Sequence, residues 1–94
     1  MKSFKQKVID VVKTIPKGSV MTYGQVAKCA GNEKASRAVG TIMANNQDIS
    51  VPCHRVVNGD GSIGMYNGLQ GESKQELLKS EGVLFSKHGR IIFE

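Results

Sequence analysis

Two short stretches with apolar residues at helical spacing, joined by Gly31-Asn32, restrict what this chain can fold into more than any other feature. The first starts at Thr22, whose hydroxyl suits a helix N-cap, and stops at Gly31. The second is predicted from about Glu33 to Asn45, with Ala35, Ala38, Val39, Ile42 and Met43 on one face and Arg37 and Thr41 elsewhere. Two short helices joined by a tight turn suggest a helix-turn-helix, although two such helices can also merely pack. On the second helix Ser36 and Gly40 lie four apart on one stripe, and so little side chain there lets a groove or a backbone approach closely. Arg37 sits beside that stripe, and read alone it is a solvated helix charge.

The rest of the chain supplies what packs around that unit. Ser3 can cap a first helix with Phe4, Val8, Val11, Val12 and Ile15 at helical spacing, ended by Pro16-Lys17-Gly18. Residues 48 to 57 read as extended, and Asn58-Gly59-Asp60-Gly61 as a turn. Ser73-Lys74-Gln75-Glu76 resembles a capping box in a last helix that ends at Gly82. Val83-Leu84-Phe85 and Arg90-Ile91-Ile92-Phe93 are expected to pair as a small terminal hairpin across a turn that holds His88. The prediction is one domain over residues 1 to 94, mainly α with short β elements and winged-helix-like, with no repeat or linker.

Ninety-four residues allow one modest core, near the size where stability is marginal. A net charge of +5 favours an anionic partner, though solvated lysines give such a balance about as often. No signal peptide, transit peptide or membrane-spanning apolar run is visible, so a cytoplasmic protein is expected, nuclear in a eukaryote, with no membrane partner. Cys29 and Cys53 are then expected as reduced thiols, Cys29 without a role. Neither stands in a spacing that recruits zinc, and His88 is isolated, so no metal site is expected.

Val51-Pro52-Cys53-His54-Arg55-Val56 reads as a nucleophile site. A thiol attacks as its thiolate, and a neighbouring imidazole can take the proton directly or through one water. The Arg55 cation favours the same thiolate. Pro52 fixes its own φ and biases Val51 to an extended conformation, so Cys53 stands on rigid backbone. Alone the string is weak, because a lone cysteine is more often a small buried hydrophobe.

Pro52-Cys53-His54-Arg55-Val56-Val57, followed by Gly64-Met65-Tyr66-Asn67-Gly68, resembles the active-site stretch of the O6-alkylguanine-DNA alkyltransferases, or methylated-DNA-protein-cysteine methyltransferases. Gly18-Ser19-Val20-Met21-Thr22-Tyr23-Gly24-Gln25-Val26-Ala27, Ser36-Arg37-Ala38-Val39-Gly40 and Leu77-Leu78-Lys79-Ser80-Glu81-Gly82 resemble the same family in the same order. Four ordered blocks are far more specific than one motif. The resemblance implies a helix-turn-helix domain of the DNA alkyltransferase type. Its second helix enters the minor groove, with Arg37 inserted where a damaged nucleotide has left the stack and Ser36 and Gly40 against the duplex. Tyr23 would crowd the flanking phosphate and hydrogen-bond the flipped base.

By the same resemblance Cys53 takes the alkyl group once and irreversibly, His54 is the base working through a water, and Glu81 orients the imidazole. Met43, the Val56 carbonyl, Tyr66 and the backbone N–H of Asn67 would line the guanine pocket. Asn46 would tie the turn after the DNA-binding helix to the active-site backbone. Met65 and Asn67 depart from the commoner asparagine and serine, which bears on substrate range. No cofactor is implied, and the partner is duplex DNA carrying O6-alkylguanine, engaged by a monomer. The family's usual additional N-terminal domain is not expected here. Short forms of this kind resemble the alkyltransferase-like proteins, lesion sensors that recruit repair partners and typically lack the cysteine. A sequence-reading winged-helix transcription regulator is the alternative from another class, and the lack of base-reading side chains on the third helix argues against it.

Overall fold

Ser3 opens the first helix as expected: its hydroxyl accepts the Gln6 backbone N–H at 3.1 Å, and α1 runs over Phe4–Lys13. This computed structural model describes residues 2 to 63 and 74 to 93. Val8 and Val12, one turn apart, are fully buried where α1 meets the next two helices. Gly18, at φ +90°, turns the chain into a two-residue strand, β1 (Met21–Thr22).

Thr22 also caps α2 (Tyr23–Cys29) through a reciprocal box: its hydroxyl accepts the Gln25 N–H at 3.0 Å, and Gln25 Oε1 accepts the Thr22 N–H at 2.9 Å. After Gly31, α3 covers Ser36–Ala44 and packs on α2 as a helix-turn-helix. α3 starts three residues later than the apolar pattern suggests. The cause is Asn32, whose side-chain oxygen accepts the Lys34 N–H at 3.2 Å and whose carbonyl accepts the Ala35 N–H at 3.1 Å. That local turn competes with helix for the same backbone donors.

The expected extended run over residues 48 to 57 is a correction: only β2 (Val56–Val57) is strand, paired in parallel with β1, with Val56 opposite Met21. Asp48 folds the stretch before it, because its carboxylate accepts the Ser50 N–H at 2.9 Å and hydroxyl at 2.7 Å. Cys53–Arg55 then forms a single 3-10 turn. The last helix, α4, is described over Lys74–Ser80 and is followed by Gly82 at φ +94°. The Ser73 end of the expected capping box lies outside the described residues.

The terminal hairpin shrinks to one antiparallel bridge, Phe85 to Ile91, flanked by Ser86 N–H to Arg90 O at 2.7 Å and Ile92 N–H to Leu84 O at 2.9 Å. Phe85 and Ile91 form a non-hydrogen-bonded pair, so the Ile91 N–H points away from Phe85 and donates instead to Gly61 O at 2.8 Å. Buried residues fall into two clusters. Val56 belongs with α1, α2, α3 and Cys53, whereas Val57 belongs with Leu78, Val83 and Ile91. Strand alternation therefore places β2, and the 3-10 turn just before it, at the junction of the helical unit and α4.

Candidate functional site

Cys53 and His54 are nearly sealed in the 3-10 turn, at 3% and 2% exposure. Asn46 reaches the thiol from just beyond α3. Its Nδ2 donates to the Asp48 carbonyl at 2.9 Å and lies 3.8 Å from Cys53 Sγ, while its Oδ1 accepts the Asp48 N–H at 3.2 Å. One side chain thus fixes the turn after α3 and touches the sulfur. Both cysteines are free thiols, Cys29 exposed and Cys53 buried.

On the other side of the turn, His54 Nε2 meets Glu81 Oε2 at 3.0 Å. Glu81 also takes two bonds from Arg55, Nε to Oε1 at 2.9 Å and Nη2 to Oε2 at 2.7 Å, and Arg55 Nη1 donates to the Ile15 carbonyl at 2.8 Å. Arg55, with His54 behind it, holds the Glu81 carboxyl below the usual carboxylate range against the opposing pull of burial. His54 Nδ1 is buried and has no hydrogen-bond partner among the described residues. Arg55 is therefore committed to Glu81 and Ile15, which corrects its expected service to the thiolate.

The cation that acts on Cys53 is Lys74, expected only as part of a helix capping box and not as a site residue. It opens the described part of α4, is only 3% exposed, and donates from Nζ to Tyr23 Oη at 3.2 Å. Burial pushes its pKa down to about 8, and the Cys53 charge acts in the raising direction. Burial pushes the Cys53 thiol up, opposed by the Asn46 amide, then the Lys74 charge, then the backbone N–H groups of the turn. Tyr23 is raised by burial and by Cys53. Thiol, amine and phenol thus share one buried electrostatic unit. A lysine early in a helix normally reads as a solvated charge, so only burial could reveal it.

Tyr23 connects this unit to the surface. It lines a cavity of about 610 Å³ with Ser36, Arg37, Gly40, Thr41, Ala44 and Asn58. A Cβ on Gly40 would stand 4.0 Å from the Tyr23 ring, so the glycine leaves the cavity open beside the phenol. Met43 and Val56 are buried in the same cluster as Cys53. Tyr66 and Asn67 lie outside the described residues. A second cavity, of about 620 Å³ between Thr22 and Phe93, holds none of these side chains. Among the described residues no metal-ligating cluster occurs and no helix is long and apolar enough to cross a membrane.

Residues 3 to 83 match the family model of the 6-O-methylguanine DNA methyltransferase, DNA binding domain. The chain is 48% identical over 83 residues to a methylated-DNA–protein-cysteine methyltransferase of Methanosarcina acetivorans, covering 84% of this chain and 51% of that protein. It is 42% identical over 90 residues to the DNA base-flipping protein of Escherichia coli K12, covering 95% of this chain and 69% of that protein. Among solved structures, S. pombe Atl1 in complex with damaged DNA containing O6-carboxymethylguanine superposes with a TM-score of 0.78 at 33% identity, covering 100% of this chain and 93% of that one. The chain spans about half the length of the methyltransferase relatives it matches. On the family model, the identities and the shared helix-turn-helix, the chain belongs to the O6-methylguanine DNA methyltransferase family, through its DNA-binding domain.

Proposed function

We propose that this chain binds duplex DNA through α3, flips out an O6-alkylguanine and transfers the alkyl group to Cys53. One observation carries the reading. The thiol that the sequence marks as a nucleophile lies in a buried polar unit with Asn46 and Lys74, and Tyr23 links that unit to the cavity lined by α3. A thiol kept only for packing needs neither an amide donor nor a cation beside it.

An alkyl group on guanine O6 lies inside the stack, so the base has to leave the duplex before a sulfur on a folded domain can approach it. In the proposed step the Cys53 proton passes through a water to His54 Nδ1, whose ring Glu81 orients from Nε2. The thiolate attacks the alkyl carbon, the S–C bond forms, and the C–O6 bond breaks with its electron pair going to guanine. The Tyr23 hydroxyl, backed by Lys74, donates to the departing base and lowers the charge it carries. Arg37 fills the gap left in the stack, and Asn46 holds the thiol while anchoring the end of α3. Displacement at saturated carbon needs no cofactor, and a thioether does not leave again, so each molecule acts once.

A second reading is favoured by matches over 95% and 100% of the chain, to a base-flipping protein and to Atl1. In it the chain binds the lesion without repairing it. A duplex whose restriction site is blocked by O6-methylguanine separates the two: transfer restores cleavage in proportion to protein added, whereas capture alone protects the lesion and leaves the site uncut.

A further inference from the structure

We propose that Asn58 reads the minor-groove edge of the base pair next to the flipped nucleotide, a contact that rests on the functional reading above and adds a residue to it. Asn58 follows β2 and lines the same cavity as Arg37 and the small-residue stripe of Ser36 and Gly40 on α3. The side chain that fills the vacated stack and the base pair beside that vacancy must lie together. A residue sharing the Arg37 cavity therefore faces that pair.

The turn that presents Asn58 is fixed at every joint. Its N–H donates to Ser62 O at 3.0 Å, its carbonyl accepts the Gly61 N–H at 3.1 Å, and Gly61 O accepts the Ile91 N–H at 2.8 Å. Gly61 holds φ +89°, and a Cβ there would stand 3.0 Å from Ile91 O, so the turn is pinned to the terminal segment. The amide orientation is set as well. Ser62 Oγ donates to Asp60 Oδ1 at 2.7 Å and so offers a lone pair, which takes an Asn58 Nδ2 hydrogen at 2.8 Å. The second Nδ2 hydrogen and Oδ1 have no partner among the described residues. An amide held this way is preorganised, at low ordering cost, to give one hydrogen bond and accept another.

Those two functions match the minor groove. Adenine N3 and thymine O2 accept a hydrogen bond, and guanine N2 donates one, so a neutral amide serves either pair. Binding should then be nearly indifferent to the flanking pair. Asn58→Asp, which only accepts at neutral pH, should favour a flanking G·C.

The test is equilibrium binding of fluorescent O6-methylguanine duplexes with flanking A·T or G·C pairs, in a Cys53→Ala background so that nothing is transferred. Asn58→Ala should weaken both duplexes about three- to tenfold. Asn58→Asp should shift the ratio of the two affinities toward G·C by about fivefold or more. That ratio is taken within one protein sample, so a loss of folded fraction leaves it unmoved. Unchanged affinity in Asn58→Ala, or equal losses on both duplexes in Asn58→Asp, overturns the contact. A parent protein that does not prefer lesion DNA over undamaged DNA overturns the functional reading first, and the contact with it.

Discussion

His54 and Glu81, 27 residues apart in sequence, meet at 3.0 Å between Nε2 and Oε2, with the other ring nitrogen buried and without a hydrogen-bond partner among the described residues. If His54 draws the proton from Cys53, methyl transfer should quicken as pH rises and the thiolate forms. His54→Ala should move that rise to higher pH, because burial already pushes the thiol up. Single-turnover rates against pH for His54→Ala, Glu81→Gln and the double variant check this. Losses on the relay should not add.

Glu81 carries a structural duty as well, since it pairs bidentately with Arg55. Glu81→Gln should destabilise the fold by about 3 kcal/mol at neutral pH, the order expected when a mostly buried pair loses one charge. Its carboxyl is held below the ordinary value of 4.5 in the folded state. The stabilisation is therefore present above about that value and lost as pH falls through the lower folded one. Urea midpoints from pH 2 to 7 should show wild type and Glu81→Gln converging in acid.

Lys74 gives the opposite window. Its pKa falls from 10.5 to about 8 on folding, so between those values the unfolded chain binds more protons and stability rises with pH. The full rise is about 3 kcal/mol. In a Cys53→Ala background, which removes the opposing titration of the raised thiol, Lys74→Met should flatten that rise. With Cys53 intact, Lys74→Met should push the transfer rate profile to higher pH.

The helices were legible because each rests on local rules. Ser3 and Thr22 cap where their hydroxyls predict, and apolar spacing places Val8, Val12 and Val39 inside. What failed was local competition that apolar spacing does not encode. Asn32 and Asp48 side chains took backbone donors that the pattern had assigned to helix and strand. What stayed hidden was tertiary. Arg55 turns away from its neighbour to a carboxylate from the end of α4, and Lys74 turns inward to Tyr23 and Cys53. Neither orientation is written in adjacent residues.

Arg37 lines the cavity on α3 and lies outside the mostly buried group of Cys53, His54 and Glu81, so its loss should separate DNA capture from chemistry. Arg37→Ala should weaken binding to an O6-methylguanine duplex by on the order of 1 to 3 kcal/mol, the unstacking it compensates. Reaction with the free base O6-benzylguanine should keep its wild-type rate. Equal slowing on both substrates would mean that Arg37 supports the fold and not the duplex.

Mass spectrometry reads directly whether Cys53 is the acceptor. The protein is incubated with excess O6-methylguanine duplex, weighed intact, and then digested and mapped. The expected result is one added methyl group per molecule, located on Cys53, with the exposed Cys29 unmodified and no addition in Cys53→Ala. An unmodified chain that still binds the lesion, or a methyl group found on Cys29, would contradict it.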